Sequence, residues 1–341
     1  MEQTYKKLLT IPSGYKTKLN IRETEIAIKK LKDYFETKLA KELNLTRVSA
    51  PLFVRKDTGI NDNLNGVERP VAFDSKFIKG YNFEIVQSLA KWKRIALKRY
   101  GFQTCEGLYT DMNAIRRDED LDNLHSMYVD QWDWERVIDK NERNEEVLKN
   151  IVQRIYRVFK DSEEYICSIY PDIDKTLPQD IYIITAQELE DKYPSFTAKE
   201  RENAIAKEKG AVFIMKIGGT LKSGEKHDGR SPDYDDWELN GDIIFWYPIL
   251  DRAVELSSMG IRVDEEALIK QLEIAGCEDR KELEYHKMLL QGSLPYTVGG
   301  GIGQSRICMF FLRKAHIGEV QAAMWPEYMI LECEKANILL L

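Results

Sequence analysis

The run Gly299-Gly-Gly-Ile-Gly-Gln-Ser-Arg306 leads straight into an apolar stretch, Ile307 to Leu312. Four glycines ahead of a helix let backbone approach a bulky ligand closely. An arginine at the helix start can face an anion. The run reads as a Gly-rich turn into a helix, which usually suggests a dinucleotide or phosphate-loop site. It fits neither. A phosphate loop needs Gly-x-x-x-x-Gly-Lys-Ser/Thr, and the dinucleotide fingerprint needs a third glycine where Arg306 stands, in the first βα unit. Taken alone, the run also admits the plainer reading of a flexible turn before a core helix.

The rest of the chain gives that turn a setting. Ile28, Leu31, Phe35, Leu39 and Leu43 recur at three- and four-residue spacing and predict an amphipathic helix over 22–44. Residues 46–54 read as a strand, confined to an edge or interface by Pro51, which cannot donate to a ladder. Residues 82–87 read as a strand and 88–100 as a helix, with Ser88 a plausible N-cap. Residues 108–116 and 127–137 form a long antiparallel hairpin, with Arg116 near its charged bend. Helices are expected over 145–170 and 265–275, and strands over 181–184, 211–217, 242–247, 259–263 and 320–324. The expectation is a single α+β domain over residues 1–341, built around an antiparallel sheet and not doubly wound.

Composition excludes several classes. The 341 residues carry a formal net charge of −7 with no long basic run, which argues against a nonspecific nucleic-acid binder. Five scattered cysteines, without a Cys-x-x-Cys pair, argue for reduced thiols in a cytoplasm. No signal peptide or membrane-length apolar run is visible.

Several polar groups sit in otherwise apolar segments. In Gln131-Trp-Asp-Trp-Glu-Arg136, Gln131, Asp133 and Glu135 share one strand face and the tryptophans the other. Buried carboxylates need partners, so this face is either a polar binding surface or simply solvated. Lys91, Lys93 and Arg94 could neutralise an anion or face water. The acidic loop Asp228-Gly-Arg-Ser-Pro-Asp-Tyr-Asp-Asp236 suits metal or amino-group recognition, or its own Asx turns. Asp242 and Glu255 lie at adjacent strand ends; they could hold Mg²⁺ between phosphate oxygens, or be unrelated acids. Arg116 and Arg306 supply two separated guanidiniums that could neutralise an ATP α-phosphate without a phosphate loop.

Pro51, Arg116 in its hairpin and the glycine run ending in Arg306 resemble the three motifs of class II aminoacyl-tRNA synthetases. The strings Ile60–Gly66, His125–Arg136, Pro232–Trp237, Glu255–Arg262 and Gly299–Arg306 more closely resemble ammonia-dependent asparagine synthetases. The resemblance runs from about Thr24 to Trp325. It leaves the first twenty or so residues as an N-terminal extension and suggests a shortened loop between Trp237 and Leu239. It implies a class II synthetase-like antiparallel sheet flanked by helices. It also implies attack of the aspartate side-chain carboxylate on ATP, giving β-aspartyl-AMP and pyrophosphate, followed by displacement of AMP by ammonia.

Carried onto this sequence, the resemblance makes Arg116 and Arg306 the phosphate-binding arginines and Asp242 and Glu255 the Mg²⁺ ligands. Lys93, Gln131, Asp133 and Ser257 would bind aspartate, with Ser88 and Ser258 nearby. Asp62 would serve substrate or ammonia. Arg230 and Asp235 would lie near the adenylate, and Gly299, Gly300, Gly301 and Gly303 would let the nucleotide lie against backbone. Partners implied are aspartate, ATP, ammonia and a second copy of the chain in a homodimer. No stable nucleic-acid partner and no membrane are expected.

Overall fold

The computed structural model describes residues 8–62, 64 and 68–341. Residues 1–7 of the N-terminal extension, and 63, 65 and 66 of the Ile60–Gly66 string, lie outside the described residues.

The strands are β1 (Leu45–Arg47), β2 (Phe53–Arg55), β3 (Ala72–Phe73), β4 (Phe83–Ile85), β5 (Gly107–Ile115), β6 (Tyr128–Val137), β7 (Tyr182–Thr185), β8 (Ala211–Met215), β9 (Asp235–Tyr247), β10 (Arg252–Arg262) and β11 (Thr297–Gly303). The helices are α1 (Ile21–Leu43), α2 (Ala90–Tyr100), α3 (Glu145–Ile169), α4 (Ala186–Lys192), α5 (Ala198–Lys209), α6 (Glu265–Ile274), α7 (Glu284–Leu290), α8 (Gln304–Phe311) and α9 (Glu327–Lys335). Eight strands form one sheet in the order β1-β5-β6-β11-β10-β9-β8-β7, and β2-β4-β3 form a smaller one. In the large sheet β1–β5 and β7–β8 are parallel and the other neighbours antiparallel. The architecture is the expected α+β, an antiparallel sheet flanked by helices. Among the described residues no helix is long and apolar enough to cross a membrane.

Helix α1 begins where Asn20 and Glu23 cap each other's backbone amides at 2.9 Å. Its apolar stripe is buried as the spacing requires. With α3 and α8 it covers one face of the sheet, packing on Trp132, Trp134, Phe245, Met259, Val298 and Ile302. On the opposite face, α4 and α5 cover the β7–β10 end. The middle of that face, where β6, β11, β10 and β9 run side by side, is the cleft floor.

The glycine run is not a turn. Gly299 to Gly303 belong to β11, paired on both sides by β6 and β10. None of Gly299, Gly300, Gly301 and Gly303 has a left-handed backbone. Gly299, Gly300 and Gly301 are glycines for lack of space, whereas Gly303 has room for a Cβ. A Cβ on Gly299 would stand 2.0 Å from Glu135 Oε2, and one on Gly301 would stand 2.4 Å from Gln131 Oε1. Polar side chains of β6 thus fill the volume left at Gly299 and Gly301, and Ser258 and Met259 of β10 that left at Gly300.

Four other expectations change. Residues 46–54 are not one strand: β1 joins the large sheet and β2 the small one, with Pro51 in the link between them. Helix α2 starts at Ala90, with Leu89 rather than Ser88 at the cap; Ser88 Oγ accepts the Ala90 amide at 3.1 Å. Residues 320–324 form no strand but follow a 3₁₀ turn, Ile317–Glu319. The stretch at Glu238 is an irregularity within β9 rather than a separate loop: pairing with β10 jumps from Asn240 opposite Gly260 to Asp235 opposite Arg262.

Candidate active site

Register assembles the floor of the cleft. Asp133 on β6 lies opposite Gly301 on β11, which lies opposite Ser258 on β10, which lies opposite Asp242 on β9. Side chains directly across a ladder share a face, so this row joins residues up to 168 positions apart in the chain. A bulge between Glu255 and Ser257 adds a residue to β10. It turns Glu255 onto the same face as Ser258 although three positions separate them, the kind of re-aiming for which bulges recur beside active sites.

Above this floor the cleft has two chambers. The first, about 400 Å³, is lined by Asp62, Gln131, Asp133, Arg230, Tyr234 and Arg262 among others. The second, about 310 Å³, is lined by Arg306, Leu124, His125, Ser126, Tyr128 and Ser305 among others. Arg116, Glu119, Gln131, Asp228, Glu255 and Gly301 border both, so the chambers are continuous.

Beneath the first chamber lies a buried ion network. Glu135 accepts Arg262 Nε at 2.9 Å, Arg262 Nη2 at 2.7 Å and Thr297 Oγ1 at 2.7 Å, and lies 3.5 Å from Lys93 Nζ. Arg262 is also paired with Asp235. Burial alone would raise the Glu135 carboxyl, but Arg262 and Lys93 outweigh it and hold it below its ordinary value. Burial wins at Asp235, whose carboxyl is raised despite Arg262 and Arg230. Lys93 is fully buried, bonded to Asp133 and donating to the Trp134 carbonyl at 2.8 Å. It does not reach the chamber; it anchors Asp133, whose other oxygen accepts the Leu89 amide at 3.3 Å at the start of α2.

At the junction, Arg230 is paired with Asp242, donates to Ser258 Oγ at 3.1 Å and lies 3.3 Å from Asp228. Asp242 is therefore covered by Arg230 and does not itself line the cleft. Its carboxyl is raised well above the ordinary value, by burial and by the neighbouring acids Glu255 and Asp228 against Arg230. Its Oδ1 is buried without a hydrogen-bond partner. Glu255 goes the other way: burial is outweighed by Arg306 and Arg230, which lower it. Arg306 donates to the Glu255 carbonyl at 3.0 Å and lies 3.8 Å from its carboxylate. Arg116 lies 3.8 Å from Glu119, and its Nε is buried and unbonded. Among the described residues no group of three or more His, Cys, Asp and Glu side chains forms a metal cage.

Asp62 closes the far wall of the first chamber. It is 1 % exposed and, among the described residues, neither carboxylate oxygen has a hydrogen-bond partner within normal geometry. Burial pushes its carboxyl up, against the nearby Lys91. Lys91 is itself held by Asp233, which also takes Arg280 and His286 at 3.0 Å.

Of the residues singled out from sequence, Asp62, Ser88, Arg116, Gln131, Asp133, Arg230, Asp235, Glu255, Ser258, Gly300, Gly301, Gly303 and Arg306 line the cleft. Four do not. Lys93 and Asp242 lie just behind it, and Gly299 packs between Glu135 and Arg262. Ser257 faces the core, in the row of Ile243 and Ile302. Sequence reading assigned no role to Arg262 or Gln87, and took Asp228 and Tyr234 only as part of the acidic loop; all four also line the first chamber. Arg262 carried a usable signal: a guanidinium in the apolar stretch Met259–Val263 must find buried anions.

The fold and its central cleft define a class II aminoacyl-tRNA synthetase-like catalytic core. The chain superposes on the asparaginyl-tRNA synthetase of Entamoeba histolytica with a TM-score of 0.63 at 12 % identity, over 88 % of this chain and 67 % of that one. It superposes on the aspartyl-tRNA synthetase of the same organism at 0.60 and 15 %, over 89 % and 59 %. At such identities the likeness is one of fold. Within this class the chain belongs to the aspartate-ammonia ligase family, which matches residues 22–337. It is 71 % identical over 330 residues to the aspartate–ammonia ligase of Ruminiclostridium cellulolyticum, covering 97 % of this chain and 98 % of that protein. It is 66 % identical over 341 residues to that of Clostridium tetani, covering both chains fully. The protein is thus an enzyme of asparagine synthesis from aspartate and ammonia.

Proposed function

We propose that the ligase activates aspartate as an adenylate: the side-chain carboxylate attacks the α-phosphorus of ATP, pyrophosphate leaves, and ammonia then displaces AMP from β-aspartyl-AMP. The observation that carries this reading is that one continuous cleft brings carboxylates and guanidiniums together. Asp62 and Asp133, the latter paired from behind by Lys93, face the first chamber with Arg230 and Arg262 in its wall; Arg116 stands at the junction and Arg306 in the second chamber. Aspartate belongs in the first chamber, with its ammonium on Asp133 and Gln131 and its reacting carboxylate toward the junction. The triphosphate belongs across the junction, with Arg116 and Arg306 on its oxygens and the nucleoside in the second chamber against the β11 backbone. Attack by a bound carboxylate on a bound phosphate needs position and charge neutralisation rather than a protein nucleophile.

A solved relative by fold, the asparaginyl-tRNA synthetase of Pyrococcus horikoshii, is complexed with asparaginyl-adenylate. That supports an adenylate here by analogy of fold.

The residues fit a magnesium ion. Asp242 Oδ1 is buried without a partner among the described residues, behind Arg230, which would have to give way for the ion, and Glu255 presents a second carboxylate on the same face. Magnesium is commonly held by one or two carboxylates plus substrate phosphates, so no protein cage is needed. Asp242 and Glu255 would hold it, and it would offset charge on the departing pyrophosphate. Asp62 takes the second half-reaction. A buried carboxylate raised in pKa can accept a hydrogen bond from ammonium and take up its proton. Lys93 and Glu135, from behind the chamber, and Arg262, from its wall, keep Asp133 and Asp235 in place.

A homodimer in the cytoplasm is the expected working form. The small sheet leaves Leu52, Phe53, Phe73, Phe77 and Tyr81 exposed, an apolar patch suited to a second copy. The test of the reaction is product analysis with aspartate, ATP, Mg²⁺ and ammonium. Asparagine with AMP and pyrophosphate is expected; ADP and phosphate would overturn the adenylate route.

A further inference from the structure

Residues 8–21 precede the family match, which begins at residue 22. They nevertheless make some of the most complete long-range contacts in the molecule. Asn123 is fully buried in the bend between β5 and β6. Its side-chain oxygen accepts the Thr10 amide at 2.7 Å, and its side-chain nitrogen donates to the Thr10 carbonyl at 2.8 Å and the Ala315 carbonyl at 2.8 Å. Its own carbonyl accepts the Ile317 amide at 2.8 Å. A buried amide satisfied on every side holds its backbone in one place. Half of that satisfaction comes from Thr10.

Further along, Tyr15 donates to Glu319 at 3.0 Å, and Glu319 also accepts the Ala315 and His316 amides at 2.8 and 3.1 Å. Lys314 Nζ donates to Thr17 Oγ1 at 2.7 Å and to the Leu19 carbonyl at 3.1 Å. Leu9, Tyr15 and Leu121 pack together on the cluster of Ala315, Met329 and Cys333. Residues 9–19 therefore bind the β5–β6 bend on one side and the turn after α8 on the other.

The bend they hold is the wall of the second chamber. Asp122 Oδ1 accepts the amides of Leu124 and His125 at 2.7 and 2.8 Å and His125 Nδ1 at 2.8 Å. Leu124, His125 and Ser126 line that chamber, and so does Ile317 from the other anchored segment. We propose that residues 9–19 are a brace that positions the 122–126 bend and the 314–319 turn, and thereby sets affinity for the nucleotide rather than for aspartate. The assignment of the second chamber to nucleotide rests on the reaction proposed above; the brace itself rests on the contacts.

A truncated chain and a point variant of the full chain test it. Removal of residues 1–16 deletes the Thr10 and Tyr15 contacts. Thr10→Pro deletes one donor, because proline has no amide hydrogen. Amide hydrogen exchange of residues 122–126 is measured first, without substrates. The brace predicts that Leu124 and His125 exchange about tenfold faster in the truncated chain while β9 and β10 keep their protection. Steady-state kinetics follow: KM for ATP should rise about tenfold in the truncated chain and about threefold in Thr10→Pro, with KM for aspartate nearly unchanged. If the truncated chain does not fold, Thr10→Pro decides by the same two measurements. Unchanged exchange at 122–126 overturns the brace. Faster exchange with equal rises in both KM values overturns its selectivity for nucleotide. Products other than AMP from the wild type overturn the reaction instead, and leave the exchange result to judge the brace.

Discussion

Gly299→Ala places a methyl group in the centre of the ion network. The new Cβ would lie 2.0 Å from Glu135 Oε2 and 2.6 Å from Arg262 Nη2. The carboxylate oxygen would have to retreat by about 1.4 Å to reach the 3.4 Å at which ordinary contact begins. Strand β11 cannot move aside, because β6 and β10 pair with it on both edges. Glu135 cannot move freely either, since it is fully buried and holds Arg262, Thr297 and Lys93. Overpacking alone costs about 1–3 kcal/mol, whereas a broken buried pair costs about 3–5 kcal/mol because the remaining charges are left unmatched. The geometry forces the second case, so a loss of about 3 kcal/mol or more is expected. Urea denaturation at neutral pH measures it, with Gly303→Ala as the control on the same strand. There the added Cβ meets nothing nearer than Arg306 Cβ at 3.4 Å, and the backbone φ is −67°. The control should stay within about 1 kcal/mol of wild type. If the two variants lose equal stability, the glycines are not spacers for the β6 side chains and the reasoning fails.

Asp62→Asn should separate the two half-reactions. Aspartate-dependent exchange of pyrophosphate into ATP should stay within about threefold of wild type while asparagine formation falls about a hundredfold or more; equal losses in both assays would remove Asp62 from the ammonia step. A second effect concerns pH. Burial lowers His316 from 6.5 to about 4. Its Nδ1 accepts the Gly318 amide at 3.0 Å, and its ring lies against Trp325. The folded state favours the neutral ring, so this contribution is whole above the unfolded pKa and is lost as pH falls from about 6.5 toward 4. It amounts to about 2 kcal/mol between pH 7 and 5. His316→Asn, which keeps an acceptor for the Gly318 amide, should flatten the urea-measured stability over that interval by about this much; an unchanged pH slope would refute the assignment.

Much of the site was legible before any fold was in hand, where local pattern and chemistry coincide. The alternation Gln131, Asp133, Glu135 against Trp132 and Trp134 could only be a strand with one polar face, and β6 is that strand. The stripe Ile28, Leu31, Phe35, Leu39, Leu43 could only be a buried helix face. Other residues were misplaced because their state depends on neighbours far along the chain. Lys93 reads as a ligand for an anion; its position beneath Asp133 and Glu135 makes it their counter-ion. Ser257 and Ser258 are equivalent in sequence, and only the register of β10 turns one to the core and the other to the cleft.

The sequence by itself determined which chemical groups were available and which local elements would carry them: two arginines, a set of acids that no soluble core would bury unpaired, and strands and helices of recognisable period. The tertiary structure decided which of those groups meet. Side-chain period in a strand is two, so one bulge between Glu255 and Ser257 was enough to bring Glu255 to the face of Asp242. The glycines show the same division. Low β-propensity makes Gly299 to Gly303 look like a turn; they form a central strand because β6 and β10 supply the ladder and Gln131, Glu135 and Arg262 fill the space a side chain would take.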